Sequence, residues 1–429
     1  MRSEAAARVA VVGGGFSGVM TAVQLARLGI ASTVYDGGPI PGRGTAYGTT
    51  DPRHLLNVPA GKMSAFPHDP DHFRAWAGVD AGTFVPRRDY GRYLEDIRAA
   101  HPLVTLERRE VAALERAGEG WRLHFADGGA VEAAAVVLAL GNEAPSRPRG
   151  WDALAMETNP WSEAALEAVR EAGEEDRAIL LIGTGLTMID VVMMVEDRPL
   201  GEGIVAVSRR GMMPRSHAPY EPAPVDADDV PHGSLTAAWR WLRQRSAAVG
   251  WRAAVDSLRP HTAALWQSWS LVDQRRFLRH ARPWWDAHRH RIAPEIAARL
   301  RALVAEGRLS IMAGRLVEAG PGGAAIANRH GGGVRAVPTP VTVNCTGPLG
   351  DVTRSANPLL RQILADGLAE PDPLRLGLRT DAEDRAAPGL FAVGPLTKGM
   401  YWEMVAVPDI RHQAERVAGS IAKELLPHG

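Results

Sequence analysis

Apolar residues fall in short unbroken runs that stop at glycine. Arg8–Val12 is such a run, rich in β-branched valine and closed by three glycines. It reads as a strand. From Ser17 to Leu28 the period lengthens, with Val19, Val23, Leu25 and Leu28 near one face of a helix and Gly29 at its stop. Ala31–Tyr35 returns to a strand pattern, which makes β-α-β with a glycine-rich turn. The same order recurs from Ala178: "AILLIGTGLTMIDVVMMVED" predicts a strand, a Gly-Thr-Gly turn and a helix, and "GIVAVSRRG" the next strand. Between the two units, Arg88–Ala100 predicts a helix, while Trp121–Phe125 and Val131–Leu140 predict strands around the hairpin signal "ADGGA". From about Pro222 to Gly307 the pattern turns helical and rich in Trp, Arg and His. Strands return at Leu309–Met312, Val341–Asn344 and Gly389–Leu396. Pro408–Leu426 predicts a long final helix with proline at its first position.

The chemistry sits in the turns. Gly13, Gly15 and Gly18 form G-x-G-x-x-G, opening a helix with Phe16 and Ser17. Gly13 permits the tight turn, Gly15 lets a pyrophosphate approach and Gly18 lets helix and strand pack closely. Asp36, followed by Gly37, ends the second strand where a carboxylate accepts hydrogen bonds from ribose hydroxyls. In the second unit Gly183 and Gly185 keep the pattern and are followed by Leu186 and Thr187, but Met188 stands where the third glycine would be. Its second strand ends in Ser208, Arg209 and Arg210, which suit a 2′-phosphate and favour NADPH over NADH. The bland alternative is a structural unit with solvated arginines.

Two dinucleotide turns predict a flavoprotein fed by a nicotinamide. Gly141, Thr346–Gly347 and Gly394–Pro395 follow strands, as expected where backbone passes close to a flavin. The helix starting near Pro408 could aim its positive end at the flavin edge.

Composition narrows the choice. The 429 residues predict more than one domain, and the formal net charge of zero gives no electrostatic support for nucleic-acid or membrane-surface binding. The single cysteine, Cys345, excludes an intramolecular disulfide, a CxxC pair and a cysteine-based metal cluster. No apolar run reaches the ~18 residues of a membrane span, and no signal peptide is read, so a cytoplasmic location is expected. The lysines are Lys62, Lys398 and Lys423. The first lies in "HLLNVPAGKMSAFP", with Asn57 and Ser64, inside a long apolar loop of the kind that is usually functional.

A second stretch, "RRFLRHARPWWDAHRHR", offers Arg282 and His288 as substrate contacts, with Lys398 and Trp402 near the C-terminus. An ordinary packed helix with a solvated basic face is the competing reading. No metal site is expected, because His288 and His290 face different sides of a helix.

The layout resembles the class B flavin monooxygenases, in which both chain ends build an FAD domain around an NADPH domain. "NVPAGKMS" resembles the Asn-x-x-x-x-Lys-Met-Ser segment of flavin-containing monooxygenases. That resemblance implies that Asn57 lies over the flavin, close to its C4a–N5 edge and the nicotinamide. Longer phrases, among them "GRGTAYGTTDPRHLLNVPAGKMSAFP", "GTGLTMID", "RPWWDAHRHR" and "GPLTKGMYWEMVAVPDIRHQA", are similar to the bacterial FAD/NAD(P)-binding family labelled YdhS-like. The Baeyer–Villiger fingerprint is not matched: Asn159 and Trp161 are present without its histidine. Pro395 stands where disulfide reductases carry an acid. Both departures argue against those two chemistries.

The expected fold is α/β, with two Rossmann-like dinucleotide-binding domains of the glutathione-reductase and flavin-monooxygenase type and a helical insertion. Residues 1–150 and 341–429 would form the FAD domain. Residues 151–224 and 308–340 would form the NADPH domain, and 225–307 the insertion. The expected activity is NADPH-dependent monooxygenation through a flavin C4a-hydroperoxide, with molecular oxygen as co-substrate. The substrate would be small and polar, an amine or amino acid nitrogen first, with Asn57, Lys62 and Ser64 in the catalytic loop. The alternatives are an NAD(P)H-linked dehydrogenase or reductase and a non-catalytic dinucleotide sensor. Oligomeric state is not legible.

Overall fold

A computed structural model describes residues 9–152, 154–198, 203–320, 323–338 and 341–426. Arg8, at the start of the first predicted run, lies outside them. Strand β1 (Val9–Val12) leads through the glycine turn into the helix Phe16–Arg27 and on to β2 (Ser32–Tyr35). After the long loop and the helix Arg87–Ala99 come β3 (Val104–Glu107), β4 (Val111–Ala117), β5 (Gly120–Phe125), β6 (Ala130–Ala133) and β7 (Ala135–Leu138). The second unit contributes β8 (Ile179–Ile182), the helix Leu186–Val195 and β9 (Ile204–Ser208). Then follow β10 (Leu309–Gly320), β11 (Gly323–Asn328), β12 (Val334–Pro338), β13 (Val341–Asn344), β14 (Arg385–Ala387) and β15 (Leu390–Ala392).

These strands form a first sheet in the order β14-β15-β7-β1-β2-β3, a second in the order β12-β11-β10-β9-β8-β13, and a small antiparallel β4-β5-β6 sheet. The first is parallel from β15 to β3, and the second is parallel from β10 to β13. The unbroken apolar runs have a plain cause, since both sheet faces are covered. Val9 and Val11 enter one core with the helix Phe16–Arg27, whereas Ala10 and Val12 enter another with Trp121 and Leu123 of the small sheet. In β8, Ile179 and Leu181 alternate in the same way with Leu180 and Ile182.

The last helix, Val407–Leu425, closes the first domain. Val19 and Val23 from the first helix and Ala414, Val417 and Ala418 from the last are fully buried in one cluster. Each buried aliphatic side chain of valine size stabilises by roughly 1.5–3 kcal/mol, so this seam ties the two chain ends together.

Three boundaries differ from the sequence reading. Val341–Asn344, expected to begin the returning FAD part, pairs with β8 and belongs to the second sheet. Val131–Leu140 is two strands, because the chain leaves the small sheet after Ala133 and enters the first sheet at Ala135. The insertion is also shorter than residues 225–307. Its helices from Leu235 to Arg289 share a core around Trp266, Phe277 and Trp285, but the helix Pro294–Ala305 buries Leu300 and Leu303 under the second sheet. That helix is the β9-to-β10 crossover. A crossover helix and an insertion helix have the same periodicity, so sequence alone does not separate them.

Candidate functional site

At the first turn, Gly13 has φ +106°, which favours glycine, and a Cβ on it would strike the Ala139 carbonyl. A Cβ on Gly18 would run into the Gly13 carbonyl oxygen. Gly15 is different. Its φ is −73°, and an added Cβ meets nothing nearer than the Gly44 Cα at 3.7 Å. The fold therefore uses Gly13 and Gly18 for its own packing and leaves space in front of Gly15. Gly15 caps the helix without any side-chain hydrogen bond, so amides of its first turn face that space. This cradle fits a dinucleotide phosphate. Phe16 and Ser17 are buried behind it.

Asp36 lies at the end of β2, as expected, and already accepts hydrogen bonds from the Gly38 and Gly42 amides at 2.9 and 3.0 Å. Each carboxylate oxygen retains a lone pair for a further donor. Gly37 is pressed against Glu110, where a Cβ would come within 2.8 Å.

The second turn repeats this with one change. Gly183 has φ +121° and packs against the Cys345 carbonyl, while Gly185 is exposed with nothing within 4 Å of an added Cβ. Leu186 and Thr187 begin the helix. Met188 is completely buried in the core of this domain, so the helix seats on a side chain where the first helix seats on backbone. Ser208 uses its hydroxyl internally, bonding Thr184 Oγ1 at 2.9 Å and accepting from the Gly211 amide at 2.9 Å. That fixes the turn carrying Arg209 and Arg210.

The loop of Asn57 lies at the joint of the two domains. His217 Nε2 donates to the Asn57 carbonyl at 3.0 Å, and a narrow cavity is lined by both Asn57 and Leu186. The Asn57 side chain is half-buried and has no hydrogen-bond partner among the described residues. Around it the clamp is polar. Arg87 Nη1 lies 3.0 Å from Asp190, His54 Nε2 donates to the Asp190 carbonyl at 3.0 Å, and Arg53 Nη2 donates to the Met194 carbonyl at 3.0 Å. Burial raises the Asp190 carboxyl pKa despite Arg87 and His54.

Lys62 faces the insertion. Its ammonium pKa is lowered by the surrounding protein, with Arg259, Arg291 and Arg289 adding to the effect and Asp256 opposing it. Ser64, expected in the catalytic set, is fully buried, and its hydroxyl bonds the Asp69 and Phe66 carbonyls. It closes its own loop, which corrects that expectation: a hydroxyl spent on backbone carbonyls inside the core cannot meet a substrate.

The basic aromatic stretch is partly interior. Arg289 is 9% and Arg291 3% exposed, which argues against a wholly solvated basic face. Arg289 pairs with buried Glu403 at 3.3 Å, and Glu403 also accepts from Trp285 Nε1 at 2.7 Å. Arg291 and Tyr220 both bond Asp256. Arg259 reaches Asp409, in the first turn of the last helix, at 3.4 Å. Pro408 is in that same turn, so a carboxylate already answers part of the positive helix end.

Of the substrate candidates, three come together. Lys398 Nζ donates to Asn142 Oδ1 at 2.8 Å, and burial lowers its pKa to about 8, with Arg282 adding. Arg282 lies over the Trp402 ring at 5.5 Å. Trp402 has φ +62°, unusual for a bulky residue, and is stacked on Trp266 at 5.2 Å. His288 does not join them. Its Nδ1 donates to the Trp284 carbonyl, and its ring meets Trp251 edge-on at 4.9 Å.

Gly394 has φ +70° and passes over Ser17, where a Cβ would collide with its hydroxyl, and Pro395 is buried beside it. Gly141 and Gly347 also have positive φ and open surroundings, while exposed Thr346 bonds Asn344 Oδ1 at 2.7 Å. Thr346 and Gly347 leave the second sheet, not the first.

Sequence reasoning missed His217 and the Arg87–Asp190 pair. Nothing local marks either one, since their meaning is a contact between distant segments. Among the described residues no group of three His, Cys, Asp or Glu could hold a metal ion, and no helix is long and apolar enough to cross a membrane.

Residues 10–143 match the protein family described as FAD-NAD(P)-binding. An uncharacterised protein of Mycobacterium tuberculosis is 28% identical over 138 residues, 29% of this chain; the match spans only 26% of that relative's length. Among solved structures, a Kutzneria ornithine N-hydroxylase is similar in fold with TM-score 0.61 and 16% identity, over 97% of this chain and 99% of that one. A thioredoxin reductase of T. acidophilum follows with TM-score 0.55 and 12% identity, over 98% and 100%. Residues 10–143 thus match the FAD-NAD(P)-binding family, within a chain whose α/β fold is similar to those of the ornithine N-hydroxylase and the thioredoxin reductase.

Proposed function

We propose that this chain is an FAD- and NADPH-dependent monooxygenase that transfers an oxygen atom to a small polar substrate, an amine or amino acid nitrogen being the favoured class. One observation carries the reading: Asn57, with an unpaired amide, and Leu186, which follows the second glycine turn, come together at the joint between the two domains. Hydride can pass between two bound dinucleotides only where their reactive ends meet, and the joint of the two domains is such a place.

The chain's own groups would divide the work. Backbone amides after Gly15 would hold the FAD diphosphate, with Asp36 on the ribose, and those after Gly185 the NADPH diphosphate. Arg209 and Arg210 would favour the 2′-phosphate. Leu56 and Val58 beside Asn57 would keep water out, and the Asn57 amide would orient the reacting groups. Lys62 would receive an anionic part of the substrate. The bound flavin supplies hydride acceptance and oxygen activation.

The ornithine N-hydroxylase of similar fold was solved with reduced FAD, NADP⁺ and L-orn, which supports this reading. The thioredoxin reductase likeness supports a dithiol reductase less well. This chain has one cysteine, buried, with its thiol pKa pushed up by burial, and an internal dithiol needs two.

The test is stopped-flow mixing of the NADPH-reduced protein with oxygen in the presence of NADP⁺. The expected result is a long-lived transient distinct from both reduced and oxidised flavin. Direct single-phase reoxidation with stoichiometric hydrogen peroxide, unchanged by any amine tested, would overturn the monooxygenase reading and leave an oxidoreductase.

A further inference from the structure

A cavity of ≈ 550 Å³ opens beside Arg210 and Gly211, and its far wall comes from the β10–β12 region, including Ser310, Asn328, His330 and Arg335. Its size lies within the roughly 300–1,000 Å³ of small-molecule sites. β10 runs parallel to β9 with Ala313 opposite Ser208, so the rim near Arg210 is the carboxyl-terminal edge of the second sheet. Open α/β sheets bind nucleotides at that edge.

The hairpin turn between β11 and β12 is fastened to the arginine pair. The Arg329 amide donates to the Ala313 carbonyl at 2.8 Å, and its guanidinium donates to the Arg209 carbonyl at 3.0 Å. Arg335 Nη1 donates to Ser310 Oγ at 2.7 Å, which holds one face of that guanidinium along the cavity wall. The lining includes Arg210, His330 and Arg335 and contains no carboxylate. An open groove with Arg210 on one side, His330 and Arg335 on the other and no acid in its lining favours an anion, and guanidinium groups match the oxygens of a phosphate monoester.

We propose that this cavity takes the adenosine 2′-phosphate end of NADPH, and that His330 and Arg335 of the hairpin are specificity-determining residues opposite Arg210. The proposal rests on the NADPH reading above. It adds a second wall that belongs to a different part of the chain from the turn after β9. The hairpin distinguishes NADPH from NADH because only the 2′-phosphate reaches it. Asn328 holds the turn in shape by accepting from the His330 amide at 2.9 Å.

The experiment is calorimetric titration of the flavin-loaded protein with adenosine 2′,5′-bisphosphate and, separately, with adenosine 5′-monophosphate. Neither ligand carries nicotinamide, so the readout is binding alone. The parent is expected to prefer the bisphosphate. Arg335→Ala should weaken it roughly tenfold and His330→Ala several-fold, on the scale of a charged hydrogen bond, with monophosphate affinity changed by less than about twofold. If both variants bind the bisphosphate as tightly as a parent that still prefers it, the hairpin assignment falls and the NADPH reading stands. If the parent shows no preference, both fall. Equal loss of both nucleotides in the variants also overturns the phosphate assignment.

Discussion

Arg87 and Asp190 meet across the domain joint, Nη1 to Oδ2 at 3.0 Å, with side chains 15% and 9% exposed. Arg87 comes from the helix that follows the Asn57 loop, and Asp190 from the helix of the second dinucleotide turn. Breaking a buried pair from one side strands a charge, at a cost of roughly 3–5 kcal/mol. Asp190→Leu should therefore destabilise strongly, and Arg87→Met/Asp190→Leu should recover part of the loss. Recovery will be incomplete, because Arg87 Nε also donates to the Leu55 carbonyl at 3.1 Å. A double-mutant cycle in thermal unfolding checks this, and strictly additive effects would show that the pair does not couple the domains.

Gly15 and Gly18 should fail in different ways. Gly15→Val places its Cβ in ordinary van der Waals contact, 3.7 Å from the Gly44 Cα, so the protein should fold with near-parental melting temperature yet lose bound FAD. Gly18→Ala drives a methyl into the Gly13 carbonyl, so the fold itself should weaken. Flavin absorbance per protein and the melting curve of each variant separate the two. A Gly15→Val protein that keeps full flavin content removes the FAD assignment from this turn.

Asn57→Ala should retain FAD, since the substitution leaves both glycine turns and the Asn57 carbonyl contact with His217 unaltered. One donor in a preorganised site is worth about 2.7–4 kcal/mol, so NADPH oxidation should become largely uncoupled from product. The measurement is hydrogen peroxide released per NADPH consumed, with a substrate found by stimulated NADPH oxidation. Unchanged coupling would leave the loop as cover.

Lys398 should make stability depend on pH in an alkaline window. Its pKa is near 8 in the folded chain, against an ordinary value of 10.5. Between these values the unfolded chain binds more protons, so stability rises with pH through the window. Below about 8 the cost of burying the ammonium is fully present. Parent protein should accordingly gain on Lys398→Met as pH rises from about 8 to about 10.5, measured as the difference in unfolding free energy. A difference that is flat over that range contradicts a buried, depressed ammonium.

Much of this protein is legible along the chain because its chemistry is local. A glycine that permits φ +106° at Gly13, an acid at Asp36 and an unbroken valine run need only neighbours in sequence to have meaning. Those features led to the α/β fold and to the two glycine turns that open its helices. Val341–Asn344 was assigned to the wrong sheet because a fully buried strand reads alike in either. Ser64 was placed in the catalytic set because its motif does not say which way a hydroxyl turns.

What only the tertiary structure decided is who meets whom. His217 lies 160 residues beyond Asn57 yet donates to its carbonyl, and Arg335 shares a cavity with Arg210. Arg289 and Arg291, alike in sequence to the exposed arginines around them, are buried against Glu403 and Asp256. Local patterns determine backbone conformation and burial period, since those depend on each residue's own sterics and polarity. Charge pairs and cavities depend on which surfaces the packed domains press together, and that information resides in no single stretch of the chain.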